Sequence, residues 1–184
     1  MFIQALTRAR ALDRLLPGQR GPLHGLPFTV KDQFNVPGFD STIGYASFIG
    51  NERDLPPSTL VEVLQEQGAI VFAKTNVPQS LMWCETDNNI WGRTNNPRNL
   101  DYTPGGSTGG EAVLLAMKGT LVGWGTDIGG SCRIPSALVG CWGLRPSVSH
   151  LPLYDYSLLM KNRATGFRTM VLQSLQMDKS TFPQ

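Results

Sequence analysis

The sequence predicts an α/β fold, with a mixed β-sheet core covered by helices. Two observations carry that expectation: a helical segment followed by a short apolar strand occurs twice, at residues 56–76 and 109–127, and an apolar strand precedes both. A third sets the scale. At 184 residues and 41% hydrophobic content, the chain is long and apolar enough to bury one core.

Taken in order, residues 2–16 place Phe2, Leu6, Ala9, Leu12 and Leu16 at helical spacing with arginines between them, predicting an amphipathic helix. A loop, "GQRGPLHGLP", leads to the strand "PFTVK", on which Phe28 and Val30 share a face and Lys31 ends the run. In residues 56–76, Thr59 and Glu62 have capping-box spacing, Leu60, Val63 and Leu64 supply a stripe, and Gly68 a stop before the strand "AIVFA". Residues 77–104 are rich in Asn and Pro and read as loop, with Trp83 and Trp91 expected to cover the core or, as the second choice, to line a pocket. Then "GGEAVLLAMKG" predicts a helix over 109–119, and "TLVGWGTD" a strand. A weak stripe of Met170, Val171 and Leu175 suggests a short helix over 168–177.

Composition removes several classes of function. Sixteen Lys and Arg against 14 Asp and Glu give a net charge of +2, scattered rather than clustered, so nothing marks a nucleic-acid surface. Cys84, Cys132 and Cys141 form no C-x-x-C pair, and His24 and His150 stand far apart, which argues against a metal site and for free thiols in a reducing compartment. No apolar run nears the roughly 20 residues that span a bilayer, and the N-terminus has no signal-peptide centre. The chain is read as cytoplasmic, with no membrane partner.

Eleven of the 20 glycines lie between 105 and 143, where two pairs lead into serines: Gly105-Gly106-Ser107 and Gly129-Gly130-Ser131. Tight packing explains such a cluster as readily as chemistry does. A phosphate loop is disfavoured, because Glu111 stands where a lysine is needed. A nucleophile elbow at Gly105–Gly109 lacks the strand that must feed it, although Asp127 and His150 follow in hydrolase order. The third reading is a serine–lysine site. Serine is a weak nucleophile until a base takes its proton, and Lys31, at the end of an apolar strand, is placed for the loss of solvation that would make it one. A second serine can relay the proton, and the N–H groups of residues 127–131 can form an oxyanion hole. On residue types alone, this reading and packing stay evenly balanced.

The segments "GLPFTVKD", "GAIVFAKTNVPQ", "TPGGSTGGE", "GTDIGGSCRIPS" and "GCWGLRPS" together resemble the amidase signature family of serine hydrolases, and "MWCETDNNIWGRTNNPRN" is similar to the fungal-type amidases and acetamidases. The resemblance runs over about residues 5–153. It implies an amide hydrolase working through an acyl-enzyme, with Ser131 as nucleophile, Ser107 as bridging serine after a cis peptide bond, and Lys31 as base. It further implies an oxyanion hole from the N–H groups of Ile128, Gly129, Gly130 and Ser131, with Thr108, Asp127 and Arg133 in support. Asp127 and Arg133 read rather as members of a structural ion pair, Lys74 as a brace at the polar end of the sheet, and Cys132 as filler. A small-molecule amide is the implied substrate, no cofactor is implied, and homodimerisation is left open. Alternatives are an inert remnant of an amidase and an amidotransferase subunit acting with partners. Residues 1–153 are accordingly read as the N-terminal portion of an amidase domain. Residues 154–184 are read as a divergent, partly disordered tail, since the family's longer second half does not follow.

Overall fold

A computed structural model describes residues 1–50 and 55–146, together with the backbone of 169–173. His150 and the rest of the segment 154–184 lie outside the described residues. The described strands form a five-stranded mixed sheet in the order β2-β1-β3-β5-β4, where β1 is Pro27–Lys31, β2 Ile70–Thr75, β3 Val122–Thr126, β4 Trp142–Leu144 and β5 Thr169–Gln173. β1 runs parallel to both β2 and β3, whereas β5 pairs antiparallel with β3 and β4. Among the described residues, four α-helices accompany them: α1 (Phe2–Asp13), α2 (Thr59–Glu66), α3 (Gly109–Ala116) and α4 (Arg133–Val139).

Alternation along β1 sorts the two sides of the sheet. Phe28 and Val30 are buried with Val61 and Leu64 of α2 and with Phe34, Val36, Ile43 and Val71 in the main apolar cluster. Thr29 and Lys31 point the other way, toward α3, and are also fully buried. One strand therefore serves an apolar core on one side and a polar, functional layer on the other.

Several local expectations change. The first helix stops at Asp13, and only Ala5 and Leu12 of its residues are buried; Phe2, Leu6 and Leu16 are exposed. It lies along β2, an end strand of the described sheet, so a narrow strip is all it can cover. In α2 the buried residues are Val61 and Leu64 while Val63 faces out, and the N-cap is Ser58 rather than Thr59. No side chain caps this helix, because the Ser58 hydroxyl accepts the N–H of Asn35 (2.8 Å) and so ties α2 to the loop after β1. Trp83 and Trp91 are exposed rather than core cover. Their loop is held instead by asparagine amides: Asn88 accepts from the N–H groups of Ile90 and Trp91, and Asn96 donates to the carbonyls of Thr103 and Leu138. Where a helix was expected over 168–177, residues 169–173 are strand β5. The outer edge of β3 presents unpaired backbone groups that a strand satisfies along its whole length, and this outweighs a weak helical spacing.

Two strand glycines let α3 approach the sheet. A Cβ on Gly123 would lie 2.1 Å from Glu111 Oε2, and one on Gly125 would lie 2.3 Å from Thr108 Cγ2 and 2.7 Å from Cys132 Sγ. Gly125→Ala is therefore expected to lower stability by about 1–3 kcal/mol, the usual range for overpacking. Gly18→Ala, where a Cβ meets nothing within 4 Å, should stay within about 0.5 kcal/mol of wild type. Comparative thermal or urea melts decide this, and equal stability of the two variants would contradict the packing.

Candidate active site

Lys31 ends β1 with no exposed surface. Its Nζ lies 2.8 Å from Ser107 Oγ, 3.0 Å from Thr126 Oγ1 and 3.4 Å from the Thr126 carbonyl oxygen. Burial lowers its pKa from 10.5 to about 8, although Cys132, Asp127 and Glu111 nearby pull in the opposite direction. A substantial neutral fraction near pH 8 gives this amine the capacity to accept a proton from a hydroxyl at hydrogen-bond distance.

Ser107 follows a cis peptide bond at Gly106–Ser107 and is buried. A side chain at position 106 would not fit, since its Cβ would stand 2.0 Å from the Glu85 carbonyl oxygen. Thr108 reaches three ways: its N–H donates to the Ser131 carbonyl (2.9 Å), and its hydroxyl contacts the Thr126 carbonyl (3.3 Å) and Cys132 Sγ (3.4 Å). The loops carrying the two serines are thus joined through the backbone. Ser131 is half-buried, and its hydroxyl makes no hydrogen bond among the described residues, so the Ser107–Ser131 leg is not closed by one.

Asp127 organises the turn that carries Ser131. One carboxylate oxygen accepts from the N–H of Gly130 (2.9 Å) and from Arg133 Nη2 (2.8 Å). The other accepts from the N–H groups of Cys132 (3.0 Å) and Arg133 (3.2 Å) and from Arg133 Nε (3.1 Å). Arg145 Nε approaches at 3.4 Å as an ion pair. Of the four N–H groups expected to form an oxyanion hole, that of Gly130 is directed to Asp127. Among the described residues nothing accepts the N–H groups of Ile128, Gly129 or Ser131, which leaves three donors on a partly exposed turn.

The structure also places residues to which sequence reading gave no part in the site. Glu111 of α3 is fully buried and accepts hydrogen bonds from Thr29 of β1 (2.6 Å) and Thr75 of β2 (2.8 Å). Burial pushes its carboxyl up to about 8 despite those bonds. Thr126 hydrogen-bonds both Lys31 and the buried Gln33. A charged residue inside "GGEAVLLA" was the legible sign of Glu111, but Thr126 and Gln33 carry no sequence signal beyond nearness to motif residues. Lys74 holds the loop after β1, donating to the Asp40 carbonyl (2.7 Å) and Ser41 Oγ (2.6 Å) near Asp32 (3.9 Å). Cys132 is buried, and its thiol is pushed up to about 12 by that burial, which keeps it protonated. Beside the C-terminal ends of β1 and β2 lies a cavity of about 610 Å³, lined in part by Asp32, Lys74, Asn76 and Trp91. No helix among the described residues is long and apolar enough to cross a membrane.

With this geometry in place, comparison with known proteins is direct. A family model described as Amidase matches residues 1–169. The chain belongs to the amidase family. Amidase 2 of Gibberella moniliformis is 54% identical over 155 residues, covering 82% of this chain and 30% of its own length. The acetamidase of Aspergillus oryzae is 48% identical over 164 residues, covering 88% and 30%. Among solved structures, fatty acid amide hydrolase superposes with a TM-score of 0.87 at 32% identity, over 95% of this chain and 31% of that one. A bacterial aryl acylamidase of the amidase signature enzymes superposes at 0.84 and 32% identity, over 93% and 36%. This amidase-family chain thus spans about 30% of the length of the curated relatives it matches.

The Asp127 cluster has a measurable consequence in acid. Burial alone would raise its pKa, but the Arg133 and backbone hydrogen bonds outweigh burial and hold it at about 2, below the ordinary 3.8. A carboxylate depressed on folding stabilises the native state above its unfolded value and loses that contribution as pH falls through the folded one. Stability is expected to drop by roughly 2 kcal/mol between about pH 4 and pH 2 from this group. Asp127→Asn should be less stable at neutral pH and should flatten that part of the curve. A variant with the wild-type acid profile would refute the assignment.

Proposed function

We propose that this protein hydrolyses a small, non-peptide amide through an acyl-enzyme on Ser131. The observation that carries this reading is the 2.8 Å contact between a fully buried lysine amine and the Ser107 hydroxyl. Neutral Lys31 takes the Ser107 proton as Ser107 takes that of Ser131, and Ser131 Oγ forms a bond to the amide carbonyl carbon. The oxygen that gains negative charge is met by the N–H groups of Ile128, Gly129 and Ser131, each such donor being worth about 3 kcal/mol at the transition state. When the intermediate collapses, the C–N bond breaks and the relay returns its proton to the departing nitrogen. Water, activated by the same relay, then releases the carboxylic acid. Residues 1–153 act as the N-terminal portion of the amidase domain. The free thiols at Cys84, Cys132 and Cys141 suit a cytoplasmic location.

A fluorophosphonate probe tests the assignment on the full chain. Labelling is expected at Ser131, absent in Ser131→Ala, and slowed at least ~100-fold in Ser107→Ala and Lys31→Met, the lower end of what proton transfer contributes. In wild type the labelling rate should rise with pH and reach half its plateau near pH 8, the value burial gives Lys31. Unchanged labelling of Ser131→Ala, or no labelling of wild type, would remove the proposal.

A further inference from the structure

Gln33 lies two residues beyond Lys31, has no exposed surface, and uses only half of its amide. Its Oε1 accepts the Thr126 hydroxyl at 2.6 Å, while its Nε2 is buried with no hydrogen-bond partner among the described residues. An unpaired buried amide nitrogen is costly, and methionine or leucine would fill similar space without that cost. Packing alone therefore does not account for glutamine at this position.

We propose that Gln33 is a positioning residue that fixes the direction of the Lys31–Ser107 hydrogen bond by acting through the Thr126 hydroxyl. The proposal rests on the amidase reading of Lys31 and Ser107 for its catalytic meaning. A hydroxyl carries one proton. Because Thr126 gives its proton to Gln33 Oε1, it can face Lys31 only with a lone pair. The neutral amine has two N–H groups, and Thr126 provides an acceptor for each, Oγ1 at 3.0 Å and the carbonyl oxygen at 3.4 Å. The remaining lone pair of Nζ faces the third neighbour, Ser107 Oγ at 2.8 Å. After the proton moves, the ammonium keeps both bonds to Thr126 and donates its third hydrogen to Ser107. Proton transfer in either direction then needs no other group to turn, which is preorganisation in its simplest form.

Without an acceptor at position 33, the Thr126 proton has another place to go. It can rotate toward Nζ and occupy the lone pair that Ser107 needs. That arrangement favours the neutral amine but makes it useless as a base. Other groups facing Lys31 are Glu111 from α3, Asp127 from the turn after β3, and Cys132 ahead of α4. Within its own segment, Asp32 is committed to the Ile43 N–H, the Thr42 hydroxyl and the Lys74 ammonium. None of these side chains is hydrogen-bonded to that of Gln33, so a change at Gln33 can be read at Lys31 through Thr126.

The test is a double-mutant cycle read by NMR. The titration of the Lys31 ¹³Cε resonance, assigned with Lys31→Met, is followed in wild type, Gln33→Met, Thr126→Val and the double variant, with folding checked by melts. Gln33→Met should lower the Lys31 midpoint by about one pH unit, the scale of one lost hydrogen bond. In the Thr126→Val background the same change should move it by no more than ~0.2 units. An unmoved midpoint in the single variant, or an equal shift in both backgrounds, would overturn the proposal by showing that Gln33 does not act through Thr126. Gln33→Leu repeats the cycle should methionine prevent folding. Fluorophosphonate labelling should slow ~10-fold in Gln33→Met and not slow further when Gln33→Met is added to Thr126→Val. Failure of wild type to label would sink the amidase reading alone, because the titration reads Lys31 without turnover.

Discussion

A lysine amine sealed from water has to find acceptors for the hydrogens it carries, and the functional end of this sheet is arranged around that demand. Lys31 meets it with one hydroxyl from the loop before α3 and with the hydroxyl and carbonyl of Thr126 at the end of β3. Those partners come together because β1 sits between β2 and β3, so its last residue is flanked on both sides. On an outer strand, the same lysine would reach solvent and keep its ordinary proton affinity.

Carboxylates lie close by, yet among the described residues neither forms a salt bridge with Lys31. Asp127 is occupied by Arg133 and by three backbone N–H groups of the Ser131 turn. Glu111 is occupied by two threonine hydroxyls and links α3 to β1 and β2. A direct ion pair would have favoured the ammonium and weakened the base. Keeping both acids engaged elsewhere lets burial dominate at Lys31. Asp127 also holds the turn that carries Ser131, and Glu111 holds α3 against the sheet, so one allocation of hydrogen bonds serves geometry and proton affinity together.

Much of this was legible in the residues, and the parts that were not have physical reasons. The strands β1, β2 and β3 and the helix α3 announced themselves through apolar runs set off by glycine and threonine. Lys31 and Ser107, 76 positions apart, meet as the linked motifs implied. Exposure was harder to read: the Trp83 loop is held by asparagine amides, and whether an aromatic there is covered depends on partners distant in sequence. The short α4 and β4 left little periodicity to detect, and β5 is a strand because β3 and β4 offer it backbone pairing. Thr126 and Gln33 escaped notice for a related reason. Their importance lies in which way a proton points, and no pattern of residue types encodes that.

The order of pairing in the sheet sets a constraint on how the molecule assembles. β5, made last of the five described strands, lies between β3 and β4, which are made earlier and touch each other only through it. During synthesis the β5-facing ladders of those two strands wait unanswered until residues 169–173 leave the ribosome. Insertion of a late strand between two early ones is a long-range event in sequence, slow by nature and open to capture by foreign edges. The exposed edges of nascent β3 and β4 are closed toward each other only when β5 is in place.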